Sequence, residues 1–219
     1  MFSDRRAAGR RLAAALEHLK DTPELVVMAI PRGGVVVGAE VAIALGAELD
    51  VVIPRKIGAP GNPELAMGAI AGDGALVLNE NVVARLGIDS AYIEREKNRQ
   101  LQEIQRRREA YLNGRSGTDV SGKTVVLVDD GLATGSTALA AARALRRQDP
   151  ARIILAVPVA PSETVTRFRS EVDEIVCLET PAFFQAVGQF YGDFGQTTDD
   201  EVVRILSEAH ARDQEKTGR

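Results

Sequence analysis

The sequence predicts an α/β fold: a mostly parallel sheet with helices on both faces. Apolar runs such as Leu25–Ile30, Thr124–Val128 and Arg152–Val159 alternate with helix-patterned stretches along the whole chain. Those runs lack polar alternation, so each reads as a strand buried on both faces, the habit of parallel sheets. The 219 residues, 45% hydrophobic and 26% charged, suffice for one sizeable core and exclude disordered and collagen-like classes.

In chain order, Ser3 is a candidate N-cap for a helix to about Lys20, with Leu12, Leu16 and Leu19 as its apolar stripe and Arg5, Arg6, Arg10 and Arg11 as its solvated face. Leu25–Ile30 is the first strand. The turn Pro31-Arg32-Gly33-Gly34 then feeds a helix from Val35 to about Leu45. Leu49–Pro54 is the next strand, with the cations Arg55 and Lys56 at its end. Two prolines and two glycines make 57–67 a loop, suited to a lid that excludes water. Gly68–Ala71 and Ala75–Leu78, joined by Gly72-Asp73-Gly74, form a hairpin. Asp89 or Ser90 caps a long helix to about Asn113; its Arg106, Arg107 and Arg108 read as a solvated face with charge pairs. After a connector, Thr124–Val128 is a strand, Ser136 to about Gln148 a helix that Asp149-Pro150 breaks, and Arg152–Val159 a strand. A helix from Pro161 and Ser162 to about Ser170, a strand at Val172–Leu178, an aromatic-dense segment at 180–197 and a last helix capped by Thr197 or Thr198 complete the chain. The final residues from Asp213 read as frayed.

Residues 124–139 organise the rest. Asp129 and Asp130 end a strand, and a small-residue loop from Gly131 to Thr137 leads into a helix. Ligands of open α/β sheets bind beyond the carboxyl ends of strands. Gly, Ser and Thr ahead of a helix turn backbone N–H groups and hydroxyls toward an anion. A ligand with a phosphate on one side and vicinal hydroxyls on the other suits both features, and a phosphorylated ribose is such a ligand. No Gly-Lys-Ser/Thr phosphate loop and no Gly-x-Gly-x-x-Gly after a strand occurs.

The run Val128-Asp129-Asp130-Gly131-Leu132-Ala133-Thr134-Gly135-Ser136-Thr137 closely resembles the phosphoribosyl-pyrophosphate (PRPP) motif of type I phosphoribosyltransferases. The resemblance extends over nearly the full length and is nearest to a bacterial group with no assigned base. It implies the type I phosphoribosyltransferase fold, with a core at 1–179, an inserted flexible loop at about 57–78, and a hood and C-terminal helix at 180–219. It also implies roles. Asp129 and Asp130 would hold the ribose hydroxyls and, through water, Mg²⁺. Thr134, Gly135, Ser136 and Thr137 would bind the 5-phosphate, with Gly131 and Ala133 also in the PRPP-binding set. Arg32, Lys56 and the loop amides would hold pyrophosphate, with Gly33 and Arg55 also in the PRPP-binding set and the Pro31–Arg32 peptide cis. The catalytic set would be Asp129, Asp130, Arg32 and Lys56, and Phe190 and Tyr191 would offer faces to the base. Enzymes for 6-oxopurines carry a second acid where this chain has Ala133, which argues against such a substrate.

The function implied is Mg²⁺-dependent transfer of phosphoribose from PRPP to a nitrogenous base with release of pyrophosphate. The alternative is a PRPP-binding regulator of nucleotide metabolism with little or no catalysis. A homodimer is expected from the resemblance. The net charge of −4 gives no footprint for nucleic acid. Cys177 lies in an apolar run and reads as a core thiol, and His18 and His210 belong to no ligand cluster. Without a signal-peptide core or a membrane-length apolar run, the chain reads as a soluble cytoplasmic protein with no membrane partner.

Overall fold

The computed structural model describes residues 1–72 and 74–217. Five strands, β1 (Leu25–Ala29), β2 (Glu48–Val51), β6 (Thr124–Val128), β7 (Arg152–Val159) and β8 (Glu174–Glu179), form one parallel sheet in the order β2-β1-β6-β7-β8. Side chains alternate across it. Val27, Ala29, Val126 and Val128 face the helices α1 (Arg5–Ala15), α2 (Gly33–Leu45), α4 (Ser90–Leu112) and α7 (Asp199–Thr217). Val26, Met28, Val125 and Leu127 face α5 (Ser136–Arg146) and α6 (Ser162–Phe168). The central strands are therefore apolar on both faces, because both faces are covered.

The chain leaves β1 for β2 on one side and returns on the other side at β6. The strand order thus reverses between β1 and β6, and the crevice beyond their C-terminal ends is where open α/β sheets bind ligands. That crevice receives 30–34 from one strand and 129–137 from the other.

The stretch that composition makes a loop, 57–67, is strand. β3 (Pro54–Ala59), β4 (Asn62–Ala71) and β5 (Ala75–Leu78) form a separate antiparallel sheet. The glycines and prolines have local duties: Gly61, at φ +71°, follows Pro60 in the β3–β4 turn, and the register shifts on either side of Gly58. Ile57, Ala59 and Met67 are buried, so packing overrides the turn-rich composition. Asp73 lies outside the described residues. The strand expected to end at Pro54 ends at Val51, which moves Arg55 and Lys56 from a parallel strand end to the start of β3.

Other differences are smaller. Asp4, not Ser3, caps α1, accepting from the Ala7 N–H at 2.7 Å. That helix stops at Ala15, and a separate 3-10 turn follows at Glu17–Leu19. The last strand starts two residues later than expected, at Glu174. A short helix, α3 (Glu80–Leu86), capped by Asn79, adds to the expected elements. The final helix continues to Thr217 rather than fraying from Asp213; Gly218 and Arg219 lie outside the described residues. Val202, Ile205, Leu206 and Ala209 seat α7 in the main apolar cluster, while Val187, Phe190 and Tyr191 of the preceding segment pack with Phe2 and Ala8.

Candidate functional site

Two loops meet at the crevice. The first is Pro31-Arg32-Gly33-Gly34, and its Pro31–Arg32 peptide is cis. The second begins with Asp129 and Asp130. A Cβ on Gly33 would collide with the Asp130 carboxylate, and one on Gly34 would lie 2.9 Å from the Val128 carbonyl and 3.0 Å from Asp129 Cα. Only two glycines let the loops approach this closely, so the pair of strand ends forms one site.

The acids are enclosed. Asp129 Oδ1 accepts the Asp130 N–H at 2.8 Å. Burial, then the adjacent Asp130 charge, push the Asp129 carboxyl well above the usual carboxylate range. Burial also raises Asp130, opposed by the guanidinium of Arg5, whose Nε donates to Asp130 Oδ2 at 2.7 Å. Arg5 is a correction to the solvated face expected of α1, for its side chain is only 13% exposed. Arg32 faces the carboxylate of Asp199 at 3.9 Å, and Asp199 also accepts the Tyr111 hydroxyl at 2.6 Å.

Beyond the acids, residues 131–135 carry the chain to α5. The Leu132 N–H donates to the Val159 carbonyl, Thr164 Oγ1 donates to the Ala133 carbonyl at 2.7 Å, and Arg167 donates to the Thr134 carbonyl at 2.9 Å. With the loop carbonyls turned to α6 in this way, α5 opens at Gly135 with no side-chain cap on its first-turn amides. Free N–H groups at a helix start favour an anion. Thr134 and Ser136 hydroxyls lie 3.3 Å apart beside them. Gly135 has a second reason to be glycine: its φ is +72°, and a Cβ would meet Thr164 at 2.8 Å and Phe168 at 2.9 Å.

The expected residues do not all converge. Arg32, Gly33 and 129–137 share the crevice. Arg55 is drawn to α4, where its Nε donates to Gln100 Oε1 at 3.0 Å and Gln100 in turn donates to Glu96 at 2.8 Å. Burial and the nearby Arg107 guanidinium lower the Arg55 pKa. Lys56 is exposed on β3. Tyr191 is a correction: it is 6% exposed, packs between Phe2 (5.4 Å) and Phe194 (4.9 Å), and donates its hydroxyl to the Asp130 carbonyl at 2.5 Å. Its ring braces the acid loop and leaves no open face for a base. Phe190 is half-buried and stacks on Phe184 at 5.4 Å. Val187, on the 3-10 turn Val187–Phe190, covers Gly131, where a Cβ would approach within 2.6 Å. Sequence reasoning missed Arg5, Thr164, Arg167, Asp199 and Val187. A faint signal existed for one of them, since Arg5 directly follows the cap of α1.

No cluster of three or more metal-ligating side chains occurs among the described residues, and no described helix is long and apolar enough to cross a membrane. Two adjacent carboxylates beside an uncapped helix start fit Mg²⁺, which keeps several waters and is bound through one or two carboxylates and substrate oxygens. A cavity of about 680 Å³ lies away from this crevice, lined by Arg143, Arg146 and Arg147; Arg143 and Arg146 there pair with Glu171 and Asp173.

A doubly wound sheet whose switch point joins an acid pair to an uncapped helix start defines an open α/β domain with a crevice suited to an anionic ligand. The chain belongs to the phosphoribosyl transferase domain family, whose model matches residues 4–193. It is 49% identical over 210 residues to the Mycobacterium tuberculosis proteins named "Putative phosphoribosyl transferase MT0597" (strain CDC 1551 / Oshkosh) and "Putative phosphoribosyl transferase Rv0571c" (strain ATCC 25618 / H37Rv). The match takes in 96% of this chain and 47% of each relative, so the chain spans about half the length of the curated relatives it matches. The crystal structure of the Thermus thermophilus protein TT1426 is 47% identical, with a TM-score of 0.81 over 95% of this chain and 98% of that one.

Proposed function

We propose that the crevice transfers phosphoribose from Mg²⁺·PRPP to a nitrogenous base and releases pyrophosphate. The observation that carries this reading is the acid pair set one short loop before an uncapped helix N-terminus, at the switch point of the sheet. Asp129 and Asp130 hold the ribose hydroxyls, and the α5 amides with Thr134, Ser136 and Thr137 hold the 5-phosphate. Arg32 and the amides of Gly33 and Gly34 face the leaving pyrophosphate. Asp129 and Asp130 would hold the hydrated Mg²⁺, which neutralises pyrophosphate charge when bound. Chemistry of this kind needs positioning and charge stabilisation rather than a covalent nucleophile. Lys56 and Arg55 complete the pyrophosphate side if the β3–β4 hairpin swings inward, as a lid would. Exposed Ala133 offers no acid to a 6-oxopurine. The base enters on the hood side, beneath Val187.

Calorimetry with Mg²⁺·PRPP and a base panel with labelled PRPP test the reading. Binding followed by pyrophosphate release with at least one base is the expected result. The double substitution Asp129→Asn, Asp130→Asn should abolish binding; retained affinity would sink the assignment. Binding without turnover of any base would favour a PRPP-sensing regulator.

A further inference from the structure

Arg5 stands where three parts of the site meet. Its Nε donates to Asp130 Oδ2 and its Nη1 to the Gly195 carbonyl, both at 2.7 Å, and its guanidinium lies 3.8 Å from the centroid of the Phe194 ring. Backbone bonds join the same two segments. Phe2 N–H donates to the Phe190 carbonyl at 2.8 Å, Gly192 N–H to the Phe2 carbonyl at 2.8 Å, and Asp193 N–H to the Ser3 carbonyl at 2.7 Å. Residues 2–5 and 190–195 thus form one clasp, which Arg5 hooks onto the Asp130 carboxylate and Tyr191 onto the Asp130 carbonyl.

That hook occupies a carboxylate oxygen the sugar donor would need. A cation fixed on Asp130 competes with hydroxyls and with a hydrated divalent ion for the same lone pairs. An alternative berth is at hand. A cleft of about 290 Å³ on the outer side is lined by Arg5, Gly195 and Thr197 and by the carboxylates Asp4, Asp193 and Glu201. The guanidinium can exchange one anionic partner for others at the mouth of this cleft.

We propose that Arg5 is a positioning residue that holds Asp130 while the sugar site is empty, and that the phosphorylated sugar donor displaces it outward and so loosens the 190–195 segment, leaving the Tyr191 hydroxyl on the Asp130 carbonyl as its remaining tie to the acid loop. The inference rests on the sugar-site reading of Asp129 and Asp130. It predicts the less obvious sign: deleting a cation strengthens binding of a polyanion.

The test pairs calorimetry with hydrogen exchange on the full chain, with and without Mg²⁺·PRPP. In the unsubstituted protein, the donor should speed exchange across 190–196. Arg5→Gln should show fast exchange there in both states and bind the donor about tenfold more tightly, on the scale of one charge-assisted hydrogen bond no longer broken. Arg5→Lys keeps the charge beside buried Asp130, guards against misfolding and loses the fork, so it should lie between the two. Arg10→Gln, on the same helix but paired with Glu40 at 3.7 Å, should match the unsubstituted protein. Slower or unchanged exchange on donor binding, or weaker binding by both Arg5 variants, overturns the proposal and leaves the sugar site standing. Absence of donor binding in every protein overturns both.

Discussion

A carboxyl enclosed as Asp129 is, with a second acid beside it, keeps its proton more tightly in the folded protein than in the unfolded chain. The folded state therefore binds more protons above the ordinary carboxylate value of about 3.9, and this group's contribution to stability falls as pH rises through that window. Asp129→Asn removes the contribution while still accepting the Asp130 N–H. Its melting temperature should be flatter across the same window and higher at neutral pH, by about 2–4 °C for each 1 kcal/mol relieved. Donor binding should be lost in the same variant. Scanning calorimetry from about pH 4 to about pH 8 checks the first outcome, the range running from the pKa of a free carboxylate to just past neutrality; equal melting profiles would refute it. The acid pair and its loop were legible in the sequence because their chemistry is local, compressed into ten consecutive residues. Arg5, Asp199 and Tyr191 were not, since each acquires its role from a partner 61 to 190 positions away. In the sequence, Arg5 is one of four similar cations on a helix.

At the scale of elements, the proposed phosphate seat is a property of two helices rather than one. Thr164 and Arg167 of α6 take the carbonyls of 133 and 134, and Gly135 lies flat against Thr164 and Phe168. Gly135→Ala should cost about 1–2 kcal/mol from its left-handed backbone alone, and the added Cβ should push α6 away and weaken donor affinity together with stability. Chemical denaturation and calorimetry on one preparation check this; a stable variant with weakened binding would place the role of Gly135 at the ligand instead. Thr164→Val is milder. It leaves the Ala133 carbonyl without its donor, at about 1–3 kcal/mol, and should raise the KM for the donor more than it lowers kcat. The strand alternation was readable because apolar runs persist whatever surrounds them. The β3–β4 hairpin was misread because Gly58, Pro60 and Gly61 are loop-like in composition, while burial of Ile57 and Met67 in the main apolar cluster decided the outcome.

For the molecule as a whole, the strand order places the crevice and α7 closes one side of it. Asp199, at the start of α7, joins Tyr111 of α4 to Arg32 of the first loop. The Tyr111 phenol, buried and beside that carboxylate, has its pKa pushed up to about 12. Asp199→Ala should bring it down toward the ordinary phenol value while lowering stability by about 1–3 kcal/mol, because a buried hydroxyl loses its acceptor. Spectrophotometric titration and denaturation test the two effects, and an unmoved phenol would show that burial alone sets its pKa.

The clasp of residues 2–5 on 190–195 also bears on the order of assembly. Arg5 and Asp130 are 125 positions apart, and Arg5 and Gly195 are 190 apart. Closing such long loops is entropically costly and comes after local helices and neighbouring strands have formed. During synthesis, the chain must extend past residue 195 before the clasp can fix Arg5 on Asp130, so a nascent chain stalled short of that point carries a loosely countered acid pair at an unfinished crevice. Recovery of exchange protection at 190–196 after refolding should therefore lag behind recovery of helical signal.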